Sequence, residues 1–187
     1  MEQMDDFKKG SLIIDPKRSI LLNGSFDEEE ADKIVAKLFE LGKNPEKNIF
    51  LQINSKGGVY VGGMRIYDAI IANLAIVIGV VIGDAFSMAA IILQACQYRQ
   101  ASKNSRLLFH KAYWNIELKI TSDSEVENYT TRIQDEINEI NRKNAIIKKI
   151  VCEKVPEEIG DLDGFLKQEK ILTPQEALMF NLIDEII

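Results

Sequence analysis

Cysteine, histidine and clustered positive charge are what this sequence has least of, and each shortage closes a class of function. Two cysteines are present, Cys96 and Cys152, in no CxxC pair and with no companion histidine. A disulfide framework and a zinc site are thereby excluded, and both thiols are read as inert. His110 is the single histidine of the chain, so any imidazole chemistry falls on one known position. Lysine and arginine total 23 against 29 aspartates and glutamates, giving a net charge of −6 and a pI near 5.0. No basic stripe breaks this balance, which argues against a nucleic-acid partner. No GxGxxG and no GxxxxGK followed by Ser or Thr occurs, so a phosphate loop is disfavoured. Long apolar runs are also missing. The most hydrophobic stretch, Leu74 to Leu93, is interrupted by Gly79, Gly83 and Asp84, and reads as a buried strand, a turn and a buried helix rather than a membrane span. The first residues, MEQMDDFKKG, are charged and lack the apolar core of a secretory signal, so a cytoplasmic location is expected.

What is there is the pattern of an α/β protein. The hydrophobic fraction is 46% and the charged fraction 28%, as in chains that fold around a core. At 187 residues a single domain over 1–187 is expected, with no repeat, low-complexity tract or linker to divide it. Ser19 to Asn23 reads as a strand ending at Gly24, with Ser25 or Asp27 capping the helix that follows. In that helix Ile34, Val35, Leu38, Phe39 and Leu41 form one stripe, and Gly42 to Lys47, with Pro45, ends it. Asn48 to Asn54 is a second strand, followed by Ser55-Lys56-Gly57-Gly58 and a helix through Met64, Ile66, Tyr67, Ile70 and Ile71. Ala75 to Ile82 is a third strand, apolar on both faces, as in a parallel sheet covered by helices on each side. A helix from Phe86 to Cys96 and a fourth strand, Arg106 to His110, complete the crossovers. Asn115 to Ile120 alternates as a strand, and Ser122 or Asp123 opens a long helix through Val126, Tyr129, Ile133, Ile137, Ile140 and Ile147. A stripe that long either projects towards another subunit or folds back on its own sheet. Thr173-Pro174 opens a last short helix, and Leu182 to Ile187 is a closing strand.

Ser87 is the strongest candidate for chemistry. It follows a buried strand and opens an apolar helix, where a sharp turn stands a hydroxyl beside unpaired backbone N–H groups. The local sequence, GDAFSMA, is not GxSxG, and the position alone also suits an ordinary helix cap. His110, at the end of the next apolar strand, can reach that turn as a general base, the plainer reading being a hydrogen-bonded structural histidine. Gly57-Gly58 lets the backbone approach closely and offers N–H donors. A third group should orient His110, and Asp161, Asp163 and Glu169 all qualify by position.

With these residues in view, the chain resembles the Clp protease proteolytic subunit from about Ser19 to its C-terminus. The resemblance is carried by NPEKNIFLQINSKGG, GMRIYDAI, GDAFSMAA, NSRLLFH and LTPQEALMFNLID, in that order. It implies Ser87 as nucleophile, His110 as base, the N–H groups of Gly58 and Met88 as oxyanion hole, and Glu169 at the place where the family has an aspartate. It further implies a crotonase-like α/β fold with a projecting handle helix over Glu125 to Val151, a homo-oligomer of two stacked heptameric rings (a tetradecamer), an AAA+ unfoldase as partner and peptides as substrates. No metal and no cofactor is implied. The chain departs from the family at Lys56, where proline is usual, at Phe86, where a small residue stands beside the nucleophile, and over Lys111 to Ile120, where the family is glycine-rich. The first two predict a narrowed or re-aimed pocket. A catalytically impaired structural subunit is the alternative reading, and an acyl-CoA enzyme of the crotonase type is a more distant one.

Overall fold

A computed structural model describes residues 14–113, 123–155 and 161–187, and the side chains of all of these except 123–128. In chain order the elements are β1 (Ser19–Phe26), α1 (Glu28–Gly42), β2 (Ile49–Gly58), α2 (Tyr60–Ile71), β3 (Val77–Phe86), α3 (Met88–Ala95), β4 (Tyr98–Ala101), β5 (Arg106–Leu108), α4 (Asp123–Cys152), α5 (Leu162–Lys167), β6 (Ile171–Leu172), α6 (Pro174–Met179) and β7 (Glu185–Ile186). The expected strand at Asn115 to Ile120 lies outside the described residues.

The strands form one sheet in the order β1-β2-β3-β4-β7, every neighbouring pair parallel. β5 runs parallel to the far end of β3, and β6 pairs antiparallel with β5, so the sheet is mixed rather than wholly parallel. β4 was not expected from the sequence. Its four residues, YRQA, carry two polar side chains that look like loop, but Arg99 and Gln100 are both buried: Arg99 is held by Asp184 and Gln94, and Gln100 Nε2 donates to Glu185 at 2.7 Å, while Gln100 Oε1 has no partner among the described residues.

Local sequence explains where the helices begin. Asp27 rather than Ser25 caps α1: its carboxylate accepts from the Glu30 N–H at 2.9 Å, and Glu30 Oε2 accepts from the Asp27 N–H at 3.2 Å, a reciprocal capping box. Thr173 and Glu176 do the same for α6, with Pro174 at its first position. α3 has a different origin. All eight of its residues are buried, and it lies so close to β3 that a Cβ on Gly79 would stand 2.6 Å from Leu93 Cδ1 and 2.9 Å from Cys96 Sγ. Burial pushes the Cys96 thiol up to about 12, which keeps it protonated; Cys152 is exposed.

The main core lies between the sheet and the helices and takes in Leu38, Leu51, Ile53, Ile66, Ile70, Ala89 and Ile92. On the other face of the sheet Phe50, Ile78 and Val80 form a small separate cluster. The sequence suggested a helical layer there. Among the described residues that cluster is packed instead by Ile14, Ile76, Tyr98 and Ile187, which belong to the chain ends and the sheet itself. No described helix is long and apolar enough to cross a membrane.

Two buried arginines fasten the ends of the sheet. Arg18 donates to the carbonyls of Leu41, Asn44, Lys47 and Asn48, with 2.8 Å to Leu41, and so closes the α1–β2 turn. Arg99 donates through Nε and Nη2 to Asp184 at 2.9 and 2.6 Å, and through Nη1 to Gln94 and the Asn181 carbonyl. That network docks the C-terminal strand on β4. The Arg99 side chain is 6% exposed, so removing it strands the Asp184 carboxylate. Arg99→Met is expected to lower unfolding stability by about 3 kcal/mol, measured by urea denaturation against the parent chain, and an unchanged midpoint would show that the pair does not hold β7.

Candidate functional site

Ser87 sits between β3 and α3 with φ 56° and ψ −127°, a left-handed conformation that costs a non-glycine residue on the order of 1–3 kcal/mol. Neighbouring backbone enforces it. The Ser87 N–H donates to the Leu108 carbonyl at 2.9 Å, which ties the turn to β5, and the Ser87 carbonyl accepts from Ala90 and Ile91 as α3 starts. The side chain makes no capping hydrogen bond, so the helix-cap reading of this serine is not met. Its hydroxyl is left available at the tip of the turn.

β2 supplies the facing wall. Gly57 has φ 95°, and a Cβ there would lie 2.8 Å from the Phe86 carbonyl oxygen, 2.9 Å from Ser87 Cβ and 3.0 Å from the Met88 nitrogen. Only glycine fits. A Cβ on Gly58 would collide with the Phe26 backbone and ring. Ser55, buried at 1% exposure, stabilises the loop: its hydroxyl accepts from the Gly57 N–H at 3.0 Å and donates to the Gly24 carbonyl. Met88 is the first residue of α3, so its N–H has no partner within the helix, and its side chain packs on Gly63 of α2.

The histidine arrives by register. β5 is paired so that Leu108 lies beside Phe86, and the chain carries His110 two residues past the end of that strand, half-buried. Ser87, His110, Gly57, Gly58 and Met88 line one cavity of about 570 Å³. Lys56 lines it too. Phe86, expected with Lys56 to narrow or re-aim the pocket, is not part of the described lining: the Arg106 guanidinium lies over its ring, 5.4 Å from the centroid, while Arg106 holds Asp84 through two 2.8 Å contacts.

His110 Nδ1 lies 2.6 Å from the carbonyl oxygen of Lys111, and the Tyr113 ring stands 5.6 Å away, centroid to centroid. Lys111 and Ala112, which follow the histidine, are held firmly. Asn144 of α4 accepts from the Ala112 N–H at 2.7 Å and donates to the Ala112 carbonyl at 3.3 Å. Lys111 Nζ lies 2.7 Å from Asp163, which also receives Lys148 at 2.6 Å. Those two lysines hold the Asp163 carboxyl down to about 2.

The three carboxylates considered for orienting His110 are thereby sorted. Asp163 is bound to two lysines, and Asp161 caps α5 by accepting from the Gly164 N–H at 2.9 Å. Glu169 has no described hydrogen bond or ion pair, is exposed, and does not line the cavity. The β5–β6 register pairs Leu107 with Leu172 and Leu108 with Ile171; continued two residues further, it sets Glu169 opposite His110. The chain leaves the extended conformation there, with φ 48° at Glu169.

Sequence reading missed several cavity residues. Tyr60, Lys143 and Ile147 all line it, the last two from α4. Ile147 was visible as part of a helical stripe, but a stripe does not say which surface it meets. Here Ile147, Ile150 and Val151 enter the main core, whereas Ile137 and Ile146 are exposed. One 30-residue helix thus packs against α3 and α5 of its own chain and presents apolar side chains outward. No sequence signal singles out Asn144.

A family sequence model described as Clp protease matches residues 8–187 of this chain.

Two outcomes follow from the geometry. Gly57→Ala is expected to lower any Ser87-dependent reaction by at least about 100-fold while the circular dichroism spectrum stays native; unchanged reactivity would mean that the loop is not tightly set against the Ser87 turn. Asp163 has a folded value below that of a free aspartate, so its contribution to stability is fully present above about pH 4 and is lost as pH falls towards about 2. NMR titration of Asp163 checks this, and an ordinary midpoint near 4 would show that Lys111 and Lys148 do not hold it.

Proposed function

The chain belongs to the Clp protease family, whose fold is the crotonase-like α/β type, and on that premise we propose that it is a serine endopeptidase subunit in which Ser87 is the nucleophile. The observation that carries this reading is the meeting, in one cavity, of a serine in a strained turn with an unspent hydroxyl, the single histidine, and a glycine loop pressed against the serine's own backbone. Strain at such a turn is worth its cost where it stands a nucleophile clear of the sheet.

In the proposed reaction Ser87 Oγ attacks the carbonyl carbon of a peptide bond while His110 takes its proton. The oxyanion is received by the N–H groups of Gly58 and Met88, the second reinforced by its place at the start of a helix. His110 then passes the proton to the leaving amine, and water, activated by the same imidazole, releases the acyl group from Ser87. Glu169 is proposed as the orienting acid because the antiparallel β5–β6 register, extended past its last pair, would bring it towards His110. In the structure the Lys111 carbonyl stands at His110 Nδ1, and engagement of Glu169 would require it to displace that contact.

The proposed assembly is a homo-oligomer of two stacked heptameric rings in the manner of the family, a cytoplasmic chamber fed by an AAA+ unfoldase, with residues 1–187 as one peptidase domain. The exposed apolar residues of α4, Ile137 and Ile146, support its use as a handle between subunits, because such side chains gain by being covered. The competing reading is a structural subunit with an impaired triad. It draws on one specific observation, that no carboxylate among the described residues is hydrogen-bonded to His110.

Hydrolysis of short fluorogenic peptides by the assembled protein tests the proposal directly. Turnover is expected and should fall by at least about 10⁴-fold in Ser87→Ala, with fluorophosphonate labelling of the parent at Ser87 alone. Absence of both turnover and labelling in a correctly assembled ring would leave the structural subunit.

A further inference from the structure

The hydrogen bond that orients His110 comes from the backbone, and that stretch of backbone is itself held from α4. The Lys111 carbonyl oxygen lies 2.6 Å from His110 Nδ1. A carbonyl can only accept, so Nδ1 carries the proton of this bond and the neutral ring keeps its lone pair on Nε2. That is the tautomer a base for a serine hydroxyl needs, and in a catalytic triad a carboxylate enforces it. The Lys111 carbonyl belongs to the same peptide group as the Ala112 N–H. In a trans peptide the two point in opposite directions, and no described peptide bond is cis. Asn144 Oδ1 accepts from that N–H at 2.7 Å, while Asn144 Nδ2 donates to the Ala112 carbonyl at 3.3 Å. Pinning the N–H towards α4 turns the Lys111 carbonyl away from the helix and towards the imidazole. A hydrogen bond at one end of a peptide group also strengthens the acceptor at its other end. The Lys111 side chain adds an anchor, with Nζ 2.7 Å from Asp163 Oδ1.

Resting on the peptidase reading of this site, we propose that Asn144 is a positioning residue for His110: by holding the Lys111–Ala112 peptide group it keeps the Lys111 carbonyl on Nδ1, and so keeps Nε2 unprotonated to take the Ser87 proton. The residue type suits the task. An amide offers one acceptor for the Ala112 N–H and one donor for the Ala112 carbonyl; a carboxylate could make only the first contact and an aliphatic side chain neither. Asn144 is not part of the described cavity lining and makes no hydrogen bond to the imidazole, so its effect passes through the backbone alone. When Nε2 takes the proton from Ser87 Oγ, the Nδ1–H stays on the carbonyl, whose dipole favours the positive ring. This hold on the tautomer exists before Glu169 is engaged, and that carboxylate would inherit a ring already in the right form.

A single histidine makes the test direct. The assembled protein, isotopically labelled at the histidine ring nitrogens, is studied by solid-state NMR at a pH where the ring is neutral, and its tautomer is read from which nitrogen bears the proton. The parent is expected to show the Nδ1–H form. Asn144→Leu, which keeps the bulk and removes both polar contacts, should bring the two tautomers within about three-fold of each other. It should also lower kcat on short fluorogenic peptides by about 10-fold with KM within about two-fold. Asn144→Asp keeps the acceptor for the Ala112 N–H and should keep the Nδ1–H form. Circular dichroism and assembly size are recorded for each variant, and Asn144→Ala replaces Asn144→Leu if the latter does not assemble. An Nε2–H form in the parent overturns the proposal without any variant. So does an Nδ1–H form unmoved in the assembled Asn144→Leu protein, and its loss in Glu169→Gln instead would hand the orientation to Glu169. Failure of the proposal is separable from failure of the peptidase reading: Ser87-dependent turnover with a tautomer indifferent to Asn144 removes only the proposal, and an Asn144-dependent tautomer without turnover removes only the peptidase reading.

Discussion

The approach of Gly57 to the Ser87 turn is the constraint on which the candidate site depends. Two backbone segments, from the ends of adjacent parallel strands, come so close that a single methyl group would intrude on the Phe86 carbonyl, the Ser87 Cβ and the Met88 nitrogen together. This contact fixes the left-handed conformation of Ser87 from one side, while the hydrogen bond from its N–H to Leu108 fixes it from the other. β3 therefore cannot run on as an extended strand. It must turn, and the turn delivers α3 into the core with every one of its residues buried. Burial of that helix is the favourable term that offsets the local backbone strain.

The same architecture divides the work between rigid and adjustable parts. Ser87, Gly57 and Met88 are held by sheet and helix backbone, with the Ser55 hydroxyl joining β1 to the glycine loop. His110 stands beyond the last hydrogen-bonded pair of β5, and its surroundings are set by side chains. Asn144 grips the backbone of Ala112 at both its polar atoms, and Asp163 gathers Lys111 and Lys148. Both anchors involve α4, the helix that also supplies the Ile147 wall of the cavity. A shift of α4 would thus be felt at the histidine and at the cavity together. The charges of Lys111 and Lys148 stay matched by Asp163 well into acid, so this link is not a neutral-pH switch.

Much of this was legible beforehand, and particular residues show why. The βαβ order, a cap at Ser25 or Asp27, the helix opened by Thr173-Pro174, and the candidacy of Ser87 and His110 rest on short-range patterns: strand runs stopped by glycine, small polar residues ahead of an apolar helix, a serine opening an apolar helix. β4 escaped notice because Arg99 and Gln100 read as surface residues until Asp184, Gln94 and Glu185 are brought to them. Phe86 was expected to narrow or re-aim the pocket, yet its ring lies under Arg106 and is not part of the described lining. The second helical layer was inferred from apolarity on both faces of β3, which tells that something covers each face but not what.

By itself, then, the sequence determined the α/β class, the order of most of its elements and the candidate serine and histidine, because these follow from local periodicity and from the presence of a single histidine. Only the tertiary structure decided which carboxylates are already engaged, which face of α4 meets the cavity, and that Tyr60 and Lys143 stand together at its wall. Those are contacts between residues far apart in the chain. They are fixed by strand register and helix docking, whose energies depend on all the surfaces buried at once and leave no mark at any one position of the sequence.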